Sequence, residues 1–265
     1  MSNKLKRLLS RNKQHTPEKK WPQEFHIDEN EKALLTTLTG EPLQLVRIHY
    51  DLLDKDAMEQ TFSKLKCMAF DADRQRWVWH YDEEARKLKF QTPIKNLPKH
   101  VGSIVLGSFY LPTKDHLYLD VNSFDRAIEA IAFFDKHLSR TTASLSHIQI
   151  VNKFFTAIPD FVPSHDDFFA HFALEKPANT SSLDAIAADT TLSQHEKLER
   201  FQQEMDEHLK EPMKEIESFL IHCYEDGFEG LKGGLKMRHI IAFQHWQGNT
   251  DFSFFDIFQK TIPKT

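Results

Sequence analysis

Apolar residues recur at two different periods over the first 155 residues, and the two periods predict strands alternating with helices. Five segments are strand-like: residues 42–50, 75–81, 103–111, 116–121 and 147–151. Two segments instead repeat apolar residues at spacings of three and four, the pattern of an amphipathic helix, after Asp54 and after a capping Asn122 or Ser123. The order β-α-β followed by β-β-α-β predicts an α+β fold, with a mixed or antiparallel sheet and its helices on one side.

Beyond Phe155 the strand signals stop, and the spacing predicts helices. Ser164 is placed to cap a short helix, and helical spacing continues from Leu198 to Phe219 with a kink or restart at Pro212. Two further helices are predicted from about Leu235 to Trp246 and from about 251 to 260. We expect a flexible arm at 1–22, a sheet domain at 23–158, and a helical region at 159–265 that packs against the sheet and contains a linker at 176–193.

Phenylalanine is unusually abundant, with 22 Phe against only 8 Gly. Each buried aromatic ring removes roughly 150–250 Å² from water. Phe154-Phe155 lies between the strand-rich and helical halves, which favours one interlocked unit over two independent domains. Near the C-terminus, aromatic residues recur at helical spacing and predict either docking onto the core or a patch for a protein partner: Trp246, Phe252, Phe255 and Phe258.

Charge is distributed unevenly along the chain. Residues 1–20 carry seven basic groups and one acid, whereas residues 21–265 carry 27 basic and 38 acidic groups, a balance of −11. A basic arm on an acidic body is suited to phosphate backbones or an anionic membrane surface, and a solvated terminus is the alternative. The arm residues proposed to contact nucleic acid are Lys4, Lys6, Arg7, Arg11 and Lys13.

Several compartments and chemistries are disfavoured by the sequence. No apolar stretch approaches the roughly 20 residues that span a bilayer, and no secretory signal is recognisable, so we expect a cytoplasmic protein without a transmembrane segment. Cys67 and Cys223 are far apart and outside any C-x-x-C pair, which favours two reduced thiols. The 15 His form no His-Glu-x-x-His motif. We predict no metal and no cofactor.

A glycine cluster within DGFEGLKGGLKMRH is the most site-like motif of the chain. Glycine amides preceding a predicted helix, with nearby cations, are suited to a phosphate or another anion. The pattern matches neither common phosphate-binding glycine motif, and a helix-to-helix turn uses glycine as well. The candidate anion-binding residues are Gly230, Gly233, Gly234, Lys236 and Arg238.

Trp77, Trp79 and Tyr81 share one face of a predicted strand, an arrangement that single-stranded RNA-binding sheets use to stack bases. The same residues are equally suited to the apolar face of a helix-covered sheet, and we favour that interpretation.

Three classes of function remain, because no catalytic motif is found. We favour a non-enzymatic binding or adaptor protein that acts through protein–protein contacts of the aromatic C-terminal helix, with self-association also open. A nucleic-acid-associated protein using the basic arm and the glycine-rich turn is the first alternative. The second is an enzyme whose site assembles only in three dimensions from His49, His80 and Asp120 on neighbouring strands.

Overall fold

The fold is described from a computed structural model of the chain. The described residues are 33–97, 102–158, 161–171, 185–186, 188–221 and 227–261. The predicted basic arm lies outside them, as do Cys223 and most of the predicted linker. Residues Leu34–Thr265 cluster as one compact unit.

The described residues form a seven-stranded sheet in which every neighbouring pair is antiparallel. Its strands are β1 (Val46–Leu52), β2 (Met68–Asp71), β3 (Arg76–His80), β4 (Val105–Thr113), β5 (His116–Val121), β6 (Ala143–Val151) and β7 (Ile216–Leu220). Their order across the sheet is β2-β3-β4-β5-β1-β6-β7. The predicted α+β class is confirmed.

Helices lie on both faces of this sheet and continue into the C-terminal part of the chain. They are α1 (Lys55–Lys64), α2 (Phe124–His137), α3 (His165–Phe169), α4 (Gln194–Lys210), α5 (Phe228–Trp246) and α6 (Phe254–Thr261). Asp54 and Ser123 cap α1 and α2 with their side-chain oxygens. Phe62 of α1 and Phe134 of α2 pack against Phe109 of β4, so α1 and α2 lie on the same face.

The tryptophans of β3 belong to the core under these helices. Trp77 and Tyr81 are buried, and Trp79 is completely inaccessible, with its ring centroid 5.4 Å from that of Phe133 and 5.1 Å from that of Phe134. The core interpretation of these rings is therefore correct. They do not form an open platform for stacking bases.

The structure differs from the sequence-based assignment in four elements. Strand β2 is additional, and residues 147–151 belong to β6, which is followed by a further strand. The segment containing Ile216 and Phe219, predicted as helix, is strand β7, which pairs with β6. Helix α5 begins at Phe228 and not near Leu235, so the glycine cluster lies inside a helix.

Gly107 of β4 lies close to the backbone of the neighbouring strand β5. A Cβ atom added there would lie 2.8 Å from the carbonyl oxygen of Asp120 in β5, and a backbone atom cannot move aside as a side chain can. We expect Gly107→Ala to lower the free energy of unfolding by about 1–3 kcal/mol through overpacking, measured by urea denaturation.

Gly233 provides the matched control for this substitution. It lies within α5, and a Cβ atom there would meet nothing within 4 Å. Gly233→Ala should stabilise the protein by up to about 1 kcal/mol, because alanine is the better helix former. Equal losses at both positions would contradict the close-approach argument.

Candidate functional site

A large concave surface among the described residues is a groove beside β7, with a volume of about 760 Å³. Three structural units form it: the segment after α4 together with β7, the middle of α5, and α6. Its lining residues are Leu209, Glu211, Pro212, Met213, Lys214, Ile216, Glu217, Ser218, Phe219, Met237, Arg238, Phe254 and Phe258.

The groove follows the outer edge of β7. Pro212 ends the helical pattern, and an extended segment follows in which the four consecutive residues 216–219 all line the groove. Successive strand residues point to opposite faces, so a cavity lined by four in a row must run along the strand edge itself. Within the described part of the chain, β7 pairs only with β6.

Arg238 lines the groove and contacts residues of β7, α5 and α6. Its Nε donates to a carboxylate oxygen of Glu217 at 2.6 Å, and its Nη1 donates to the carbonyl of Gly234 at 3.3 Å. The guanidinium carbon also lies 4.9 Å from the ring centroid of Phe219 and 5.4 Å from that of Phe254. These contacts join β7, α5 and α6, so the walls are held at a fixed separation.

The four aromatic residues proposed as a partner patch occupy different positions. Phe252 is buried, whereas Phe258 lines the groove and keeps 38% of its surface exposed. Phe255 lies beside Lys210, whose ammonium is 5.7 Å from the ring centroid. Trp246 lines a neighbouring pocket of about 290 Å³. Of the four, Phe258 is the one that the structure places in the groove.

The proposed anion-binding residues all lie within α5. Gly230, Gly233 and Gly234 are part of the helix, and Arg238 pairs with Glu217. The premise of a glycine-rich turn preceding the helix therefore fails, although anion binding by these residues stays a prediction.

The face of the sheet opposite α1 and α2 carries a buried ion pair. Arg47 of β1 donates from Nε and Nη2 to the two carboxylate oxygens of Asp120 in β5, at 2.7 and 2.9 Å. Its Nη2 also contacts Asp166 of α3 at 3.2 Å, and the guanidinium lies 4.1 Å from the ring centroid of Tyr118. Burial opposes the charge of Arg47, but the hydrogen bonds and charge of Asp120 outweigh it, and the pKa of Arg47 is raised.

Three histidines adjoin this pair on β1, β5 and β6. His49 Nδ1 lies 2.9 Å from His116 Nε2, so one nitrogen donates to the other, and the His49 ring stacks on His147 with centroids 4.0 Å apart. Burial, followed by the repulsion of a charged His147, lowers the pKa of His49 to about 3. The pKa of His116 is lowered by burial as well.

Two of the three residues proposed for a non-local enzyme site therefore share one face of neighbouring strands. Asp120 uses both oxygens to bind Arg47, and His49 is completely inaccessible. His80 instead bonds through Nδ1 with the Ser103 hydroxyl at 2.8 Å. None of the three lines the groove. Within the described ranges, no group of three or more His, Cys, Asp or Glu side chains is arranged to hold a metal ion.

Sequence reasoning missed most of the groove residues. Met213, Met237 and Phe219 come from separate segments, and Phe219 was assigned to a helix. No local signal marked this strand, because Ile216, Phe219 and Leu220 are three and four residues apart, the spacing of a helix.

The comparisons with known proteins identified no family model, curated protein or solved structure that matches this chain. In the part of the chain that the structure describes, no helix is both long and apolar enough to cross a membrane.

Proposed function

We propose that this protein is a non-enzymatic binding protein that takes a segment of a protein partner into the groove beside β7. The observation that supports the proposal most directly is the combination of a large cavity with an edge strand along it. A cytoplasmic location is part of the same proposal.

The chemistry of the lining favours a polypeptide ligand. Apolar side chains dominate the walls, and two of them, Met213 and Met237, are flexible thioethers of the kind that adapt to different partners. Phe254 and Phe258 contribute aromatic surface, which is enriched at protein interfaces. The volume of about 760 Å³ falls within the roughly 300–1,000 Å³ typical of ligand pockets.

The polar side chains on the sheet face opposite α1 and α2 are buried, which favours a binding protein over an enzyme. Arg47 and Asp120 are buried and bonded to each other, and His49 is buried with its Nδ1 bonded to His116. A catalytic acid or base needs access to its substrate. We therefore assign these groups to the stability of the sheet.

The proposal is tested by selecting phage-displayed random dodecapeptides against the full chain and measuring the affinity of enriched peptides by fluorescence anisotropy. Phe258→Glu places a charge in the apolar groove and should weaken binding at least about tenfold, as expected for an interface hot spot. Phe161 is also exposed, at 51%, and lies outside the groove lining. Phe161→Glu, the matched control, should leave binding within about twofold.

The absence of any enriched peptide whose binding depends on Phe258 would overturn the proposal. Equal weakening by both variants would also count against it, because that result would indicate non-specific capture by exposed aromatic rings.

A further inference from the structure

We infer that the partner segment binds as an additional strand, antiparallel or parallel, on the outer edge of β7, with apolar side chains at positions i and i+2 and an acidic residue beside them. This inference rests on the proposed function and specifies the binding mode and the chemistry of the partner.

The hydrogen-bond pattern of β7 identifies which backbone groups face outward. At either end of the strand, the Asn152 amide donates to the Glu215 carbonyl at 2.7 Å and the Ile221 amide to the Ser146 carbonyl at 3.3 Å. Antiparallel pairing alternates bonded and non-bonded residue pairs. Odd-numbered residues of this stretch therefore bond to β6.

The even-numbered residues consequently direct their amide and carbonyl groups away from β6, toward the groove: Ile216, Ser218 and Leu220. Among the described residues, no backbone hydrogen bond to these outward groups is present. A row of outward donors and acceptors at the spacing of a strand is the template that an extended peptide uses.

The side chains beside the β7 edge determine where the partner segment needs apolar residues. Glu217 and Phe219 pair with Ile150 and Ile148 of β6, so they point to the face covered by α1 and α2. Peptide residues opposite them point to that face too, where Met237 and the α6 aromatics line the groove. Two apolar side chains, two residues apart, fit this wall.

The charges at the groove define the acidic requirement. Lys214 lines the groove and is exposed, and Lys210 lies beside Phe255. Glu211 also lines the groove and Arg238 is neutralised by Glu217, so the lining itself is neutral and Lys210 adds one positive charge beside it. Neither lysine has an ion pair among the described residues, so an acidic residue of the partner placed next to them complements their charge.

A peptide fits the edge better than a second copy of this chain. Two β7 strands related by a two-fold axis perpendicular to the sheet would bring both copies of α5 and α6 to the same face. The α6 residues Phe254 and Phe258 already line that side of the groove. In such a dimer, the α6 helix of each copy would have to enter the groove of the other copy, where the α6 residues of that copy already lie.

Amide hydrogen exchange of the full chain, with and without a selected groove-binding peptide, tests the strand mode. The amides of Ile216, Ser218 and Leu220 should exchange at least about tenfold more slowly in the complex, because each gains a hydrogen bond. The amides of Glu217 and Phe219 bond to β6 in both states and should change much less. A helical or purely side-chain binding mode does not produce this alternation.

Ser218→Pro provides an independent test. Proline removes the outward amide without removing a bond to β6, and edge strands tolerate it. We expect peptide binding to fall at least about tenfold. The control is Phe70→Pro on the opposite edge strand, β2, where the bond from the His80 amide to the Cys67 carbonyl places the Phe70 amide outward by the same alternation. This control should leave binding unchanged.

The possible failures of the two proposals are distinguishable. Peptides that need Phe258 but give no alternating protection at β7 would overturn strand addition and leave the groove function standing. Peptides that bind independently of Phe258 would overturn the groove function itself. Light scattering that shows a dimer broken by Ser218→Pro would replace the peptide with a second copy as the occupant.

Discussion

Asp120→Ala should lower the free energy of unfolding by about 3–5 kcal/mol, since it leaves Arg47 buried without its main counter-ion. Both side chains are shielded, with 5% of Arg47 and 9% of Asp120 exposed. Asp166 cannot replace Asp120, because its side chain is 80% exposed and offers a contact at 3.2 Å to one nitrogen. Urea denaturation at pH 7 measures the loss.

The double variant Arg47→Met/Asp120→Leu is the informative control. An apolar pair removes the buried charge together with its partner, so most of the lost stability should return. A single variant that costs less than about 1 kcal/mol would contradict the assignment of this pair to the stability of the sheet. If the double variant is as unstable as Asp120→Ala, polar contacts of Arg47 other than the one with Asp120 also stabilise the fold.

Acid should destabilise this protein through His49. Its pKa is lowered from 6.5 to about 3 in the folded state by burial and by its neighbour His147, so the unfolded chain binds a proton that the folded chain does not. The stabilisation is fully present above pH 6.5 and is lost as pH falls toward 3. At about 1.4 kcal/mol per pH unit, roughly 2 kcal/mol should disappear between pH 6.5 and pH 5, and on the order of 4–5 kcal/mol by pH 3.

The measurement is the slope of the unfolding free energy against pH between 6.5 and 5, a range in which most carboxylates stay ionised. His49→Asn should lower stability at pH 7, yet flatten this slope by about 1.4 kcal/mol per unit. His195→Asn alters a side chain that is 81% exposed and should leave the slope as it is. Identical slopes for the wild type and His49→Asn would refute the role of this histidine.

The sequence predicts the first half of the fold well, because its signals are local. Asp54 and Ser123 cap helices with clear apolar stripes, and β4 and β5 form the predicted hairpin, with its turn at residues 114–115. In contrast, Ile216 and Phe219 are three residues apart, the spacing of a helix and not of one strand face. Pairing with β6 nevertheless makes this segment a strand, and that pairing joins distant segments.

The groove is less predictable than the sheet for the same reason. Phe258 stood out as an aromatic residue near the C-terminus, but its surroundings depend on how α4, β7, α5 and α6 meet. Because α5 begins at Phe228, the glycines that the sequence predicted in a turn lie within a helix. The spacing of residues along the chain does not show how these helices and this strand pack together.

The position of β1 has a consequence for synthesis of the chain. This strand is the first in sequence yet lies between β5 and β6, so Arg47 is paired with Asp120 on one side and with Gln149 on the other. Ribosomes add about 5–20 residues per second, so some five to twenty seconds separate the appearance of β1 from that of β6. During this interval Val46, Ile48 and Tyr50 lack their second neighbouring strand, so β1 has an unpaired edge that is open to pairing with other chains.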